Sequence, residues 1–165
     1  RPSRAVIIAL AAFVASSLAT YPHSLAFFNV WAGGPRAGHR FMLHSSLDWG
    51  QDLKRLQRWQ EANNRQIKLA YDGVVDPQSL GVKYLPSGEL MPLRPGWYAI
   101  SINTLTGVDD HCHGSFSNHH AILRSLCRYL RGRPPNELVG YSIYLFDLDA
   151  NDLDEAEWAQ AKLEK

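Results

Sequence analysis

Asp48, Trp49, Gln51 and Asp52 fall within five consecutive positions, directly before the first amphipathic run of the chain. Asp72 and Asp76 follow a second apolar run, and Asn103 with Thr104 follows a third. Carboxylates and amides exchange hydrogen bonds with hydroxyls, and an indole offers an apolar face on which a sugar ring can stack. If the apolar runs are strands of an open parallel sheet, these residues collect at the carboxyl ends of the strands, where ligands bind in such sheets. The expected result is a polar rim suited to a sugar or a polar headgroup. A plainer reading stands beside it: Asp48 caps a helix, Trp49 packs into the core and Asp76 caps a turn.

Two further groupings invite a metal. His111-Cys112-His113, with His119-His120 nearby, offers imidazole and thiolate, which suit zinc or copper. Its spacing matches no standard site, and Asp109-Asp110, Gly114 and Ser115 give it the composition of a loop, so no functional metal is expected. Asp147-Leu148-Asp149 has the Asp-x-Asp pattern that holds a metal and a nucleotide sugar in soluble glycosyltransferases, but the rest of such a domain does not fit. As a calcium loop it fails too, since Asp152 stands where glycine is needed and Trp158 where the bidentate Glu belongs. No nucleophile elbow, phosphate-cradling glycine loop or His-Glu-x-x-His helix is present. No catalytic residue is assigned, and no cofactor is expected.

The elements that would position the rim alternate. Arg40–His44 reads as a short strand, followed by a helix in which Leu53, Leu56 and Trp59 recur at helical spacing. Ile67–Tyr71 is a second strand, Asp76–Leu80 a short capped helical turn, 86–96 a Pro/Gly-rich loop and Trp97–Ile102 a third strand. Asn118–Leu130 is an amphipathic helix, Val139–Phe146 a fourth strand, and an acidic helix over 152–163 closes the chain. This order predicts an α/β fold, a small mainly parallel four-stranded sheet with helices on both faces.

Ahead of that domain, the stretch from Ala5 to Val30 carries no Lys, Arg, Asp or Glu, which exceeds the roughly 20 residues needed to cross a bilayer. An N-terminal transmembrane helix is the expectation, with a secretory signal ending near Ser17-Leu18-Ala19 and a buried core helix as rivals. Arg1 and Arg4 precede the span and the next Lys or Arg is Arg36, so the N-terminus is expected in the cytoplasm and the rest outside. Residues 1–30 are then the last transmembrane helix and its interfacial hinge, and 31–165 an extracytoplasmic domain. The first residue is Arg, which suggests a piece of a longer protein. Over 165 residues the net charge is +1, with no basic run interleaved with aromatics, so no nucleic-acid partner is expected. Two cysteines, Cys112 and Cys127, are too few for a disulfide scaffold; one bridge and two thiols both remain open.

Several strings taken together carry a resemblance: Tyr21-Pro22-His23, Ala32-Gly33-Gly34-Pro35, Leu47-Asp48-Trp49-Gly50-Gln51-Asp52-Leu53, Asp76-Pro77 with Gly81, Pro95-Gly96-Trp97-Tyr98 and Gly140-Tyr141-Ser142-Ile143. In this order the chain, from about Ala5 to Phe146, resembles the C-terminal end of bacterial membrane glycosyltransferases of the dolichyl-phosphate-mannose protein mannosyltransferase-like family. Ser46 departs from the Asn of that pattern, and 109–120 matches nothing in it. The resemblance implies an upstream transmembrane module, a polyprenyl-phosphate-linked sugar as donor, and an acceptor glycan, lipid or protein. It also implies that the catalytic acidic loop lies upstream of this chain, so this domain would assist acceptor recognition or stability. The alternative expectation is an independent secreted or membrane-anchored sugar-binding module.

Overall fold

The computed structural model describes residues 3–21, 23, 28, 33–34, 48–71, 73–85, 93–107 and 118–161, the side chains of 118–121 and 156–161 excepted. The expected strand at 40–44 lies outside these residues. Among the described residues there are five helices and five strands: α1 Arg4–Ala19, α2 Leu53–Asn63, β1 Ile67–Ala70, β2 Tyr84–Leu85, β3 Gly96–Ser101, α3 Ile102–Thr106, α4 Asn118–Leu130, β4 Glu137–Val139, β5 Ile143–Leu148 and α5 Ala150–Ala161. A 3₁₀ turn at Gln78–Leu80 matches the expected short capped turn.

The fold is α/β, but the sheet is five-stranded and mixed rather than four-stranded and mainly parallel. Its order is β2-β1-β3-β5-β4. β1 runs parallel to β2 and β3, whereas β5 runs antiparallel to both β3 and β4. Two differences account for this: β2 at Tyr84–Leu85 was not expected, and Val139–Phe146, expected as one strand, is two. Gly140 takes φ 62°, a left-handed conformation that breaks the run, so β4 turns back into β5 as a hairpin. The third strand also ends earlier than expected: the Ser101 hydroxyl accepts from Thr104 N at 3.3 Å, capping α3.

Helices do cover both faces. On one, Leu53 and Leu56 of α2 pack with Ile67, Leu69, Ala99, Ile143 and Leu145. On the other, Leu105, Leu126, Leu130 and Leu153 from α3, α4 and α5 pack with Tyr98, Ile100, Phe146 and Leu148. The split follows from strand alternation, since Ala99 and Leu145 point opposite to their neighbours Tyr98, Ile100 and Phe146. Cys127 is 1% exposed within the second cluster.

The expected transmembrane helix requires correction. Among the described residues no helix is both long and apolar enough to cross a membrane. α1 has 16 residues, about 24 Å at 1.5 Å per residue against a hydrocarbon thickness of about 30 Å. Its last turn is closed by side chains, Ser16 donating to Phe13 O and Thr20 to Ser16 O. Pro22 follows Tyr21 in the sequence and disfavours helical backbone there. No residue of α1 is buried, although Val6, Ile7, Ile8, Leu10, Phe13, Val14 and Leu18 all lie along it.

Candidate functional site

Asp52 is the most enclosed carboxylate among the described residues, at 1% exposure, and it sits immediately before α2. The chain reaches it through a tight turn. Asp48 Oδ1 accepts from Gly50 N at 2.9 Å and Gln51 Oε1 from Trp49 N at 2.7 Å. Gly50 has φ 81°, and a Cβ there would lie 2.8 Å from the Tyr71 hydroxyl and 3.0 Å from Val75 Cβ. Only glycine lets this turn press against the segment that follows β1.

The Asp52 side chain caps no backbone N–H of α2. It reaches across the sheet end to the β4–β5 turn instead, where Oδ2 accepts from Tyr141 N at 3.0 Å, Ser142 N at 3.3 Å and Ser142 Oγ at 3.0 Å. The Arg55 guanidinium donates to Oδ1 at 3.2 Å, and His23 Nδ1 stands 3.7 Å from the same oxygen. His23 also meets the Tyr141 ring edge to face, 5.0 Å between centroids. Ser142 O in turn accepts from Ile102 N at 2.8 Å, which ties the turn to the start of α3. A buried carboxylate is costly unless its lone pairs are filled, and here three hairpin donors and a guanidinium fill them. One anion thus fastens α2 to the hairpin, with His23, four residues past α1, beside it.

The remaining expected rim residues are dispersed around this point. Trp49 is 57% exposed, and Asp48 is buried. Gln51 is half-buried and holds the Trp49 backbone. Asp76 is exposed, its Oδ1 accepting from Gln78 N at 3.1 Å to start the 3₁₀ turn. Asn103 is buried in α3, at the carboxyl end of β3. Asp72 lies outside the described residues, as do Cys112 and the histidines from His111 to His113. Asp48 and Asp52 therefore join the carboxyl edges of β1 and β3 from within, while Trp49 and Asp76 remain outside. A cleft of about 290 Å³ opens between Leu69, Tyr71, Val74, Asp76 and Tyr84 at the β1 end. Among the described residues no group of three or more His, Cys, Asp or Glu could hold a metal.

Sequence reasoning missed the partners of Asp52. Gly140 was the available signal, because a Cβ there would fall 2.0 Å from the Asp52 carboxyl carbon. Comparison with protein-family models, curated proteins and solved structures finds no match.

Proposed function

We propose that this chain is the C-terminal part of a membrane glycosyltransferase that uses a polyprenyl-phosphate-linked sugar. In this reading α1 is embedded in the bilayer and the α/β domain lies on the periplasmic or extracellular side, serving acceptor recognition or stability while transfer is carried out upstream. The observation that carries the reading is α1. A helix apolar on all sides needs an apolar environment on all sides, and no residue of α1 is buried by this chain. A bilayer, or neighbouring helices of an upstream transmembrane module, supplies that environment. The strings behind the family resemblance add support, since His23, Asp52 and Gly140–Ser142 meet at one point.

The test uses the full chain with phosphatidylethanolamine/phosphatidylglycerol vesicles. Ile8 and Phe13 are 67% and 61% exposed, so lysines there leave the α/β core untouched. At about 2.5–3.5 kcal/mol per charge near the membrane centre, Ile8→Lys with Phe13→Lys should weaken vesicle flotation more than about a thousandfold. Flotation unchanged by the pair refutes the reading. In membranes carrying the whole enzyme, deleting this chain should lower sugar transfer to the acceptor; full activity without it removes the assigned role.

A further inference from the structure

A second and larger cleft, about 580 Å³, opens at the other end of β1, between the end of α2 and the approach to β2. Its size falls within the roughly 300–1,000 Å³ range of small-ligand sites. We infer that this cleft, continued past Tyr84 into the 290 Å³ cleft at the carboxyl end of β1, is a groove for an oligosaccharide chain.

The walls are fixed before any ligand arrives. Gln60 is buried, with Oε1 accepting from Lys83 N at 2.9 Å and Nε2 donating to Arg65 O and Lys83 O. One amide therefore clamps both sides of the cleft, and a pre-organised groove loses less entropy on binding. Asn64 closes α2 in the left-handed conformation at φ 48°, and Gly81, which ends the 3₁₀ turn at φ 82°, lines the cleft with backbone alone.

The lining selects the ligand class. Glu61, Asn64, Arg65, Gln66 and Lys83 present acceptors and donors of both signs at an exposed rim. Among the described residues the larger cleft has no continuous apolar wall for a lipid chain. Two cations against one carboxylate leave a surplus of one positive charge, far short of what a polyphosphate or nucleic-acid backbone requires. Hydroxyl groups, each a donor and an acceptor, suit such a rim. Tyr84 belongs to both clefts and packs partly against the α2-side core, so it supplies an aromatic surface where the two meet. The smaller cleft adds Val74, Val75 and Pro77 beside Asp76, the mixed apolar and polar surface that the two faces of a pyranose ring need. As an acceptor-binding surface the groove rests on the membrane glycosyltransferase reading; as a glycan site it rests on its own lining.

The test follows backbone and side-chain amide signals of the full ¹⁵N-labelled chain in lauryldimethylamine oxide micelles, whose headgroup carries no sugar. Mannotetraose and tetragalacturonate are titrated separately, with tripolyphosphate as a third probe. Saturating shifts at Asn64, Gln66 and Gly81 with either oligosaccharide are expected, weakened at least fivefold in Gln66→Ala and Arg65→Ala. Both residues are exposed, so these variants keep the wild-type melting temperature, whereas Tyr84→Ala can disturb β2. No saturation with either oligosaccharide, or saturation with tripolyphosphate alone, overturns the inference. Glycan binding with failed vesicle flotation leaves the groove and removes the membrane-enzyme reading; the reverse result removes only the groove.

Discussion

Replacing Gly140 by alanine isolates the Asp52 fastening. The new Cβ falls 2.0 Å from Asp52 Cγ and Oδ1 and 2.1 Å from Oδ2, so the carboxylate must leave its position. The backbone also stays at φ 62°, where a non-glycine residue costs about 1–2 kcal/mol. Displacing the carboxylate strands the Tyr141 and Ser142 amides and the Arg55 charge, and breaking such a buried charged arrangement costs about 3–5 kcal/mol. Gly140→Ala should therefore destabilise by about 4–7 kcal/mol, a large share of the 5–15 kcal/mol typical of a domain. Asp52→Ala should cost about 3–5 kcal/mol through the same lost bonds. The two together should cost little more than Gly140→Ala alone, because Asp52→Ala removes all three atoms with which the new methyl collides. Urea unfolding of the full chain in micelles, with sucrose added to keep the variants folded, measures the cycle. A coupling of about 3 kcal/mol or more is expected; additivity within about 0.5 kcal/mol refutes the assigned clash and the role given to Asp52.

Asp48 holds the turn before α2 through Gly50 N, a bond that asparagine can keep, so Asp48→Asn should cost at most about 1 kcal/mol and Asp48→Ala about 1–3 kcal/mol by thermal melting. Equal losses for the two variants exclude the turn-holding role. Burial pushes the Tyr129 phenol up to about 12, its hydrogen bond to Glu155 adding and the Arg133 charge opposing. The folded value lies above the unfolded one of about 10, so the contribution of this proton is complete below about pH 10 and is lost as pH rises toward 12. Urea midpoints should fall across that window less steeply in Tyr129→Phe than in the wild type, and equal slopes contradict the raised phenol.

Local pattern carried the helices further than the sheet. In α2, Leu53 and Leu56 at 0% exposure alternate with exposed Lys54 and Arg58, a pattern at helical spacing that needs no tertiary knowledge. β1 and β3 were legible as apolar runs bounded by turn residues. β2 is two residues long, below what any periodicity can register. The hairpin was hidden for a different reason. Val139, Tyr141, Ile143, Leu145 and Phe146 read as one apolar run, and Gly140 breaks it in partnership with an aspartate 88 positions earlier in the chain. Antiparallel pairing of β5 with β3 follows from that turn, so one missed contact split the expected strand and reversed the direction of its second half.

The same contact separates the two roles expected of the 48–52 string. A rim carboxylate must face solvent or ligand, whereas the Asp52 oxygens already receive two backbone N–H groups, a serine hydroxyl and a guanidinium. Nothing in the spacing of Asp48, Trp49, Gln51 and Asp52 distinguishes the carboxylate that turns inward, because the donors belong to a hairpin far along the chain. The reading that Trp49 packs into the core fails in the other direction, for the indole is 57% exposed. His23 joins this point at 3.7 Å from Asp52, and it lies only four residues beyond the end of α1. The C-terminal end of α1 therefore lies close to the carboxyl edges of β1 and β3, with Trp49 exposed on the turn before α2. An indole with an apolar ring and a polar N–H is suited to a membrane–water interface. If α1 is embedded in a bilayer as proposed, the smaller cleft lies toward the bilayer end of the domain and the larger, polar cleft at the opposite end of β1, so a glycan in the proposed groove would run from solvent toward the membrane.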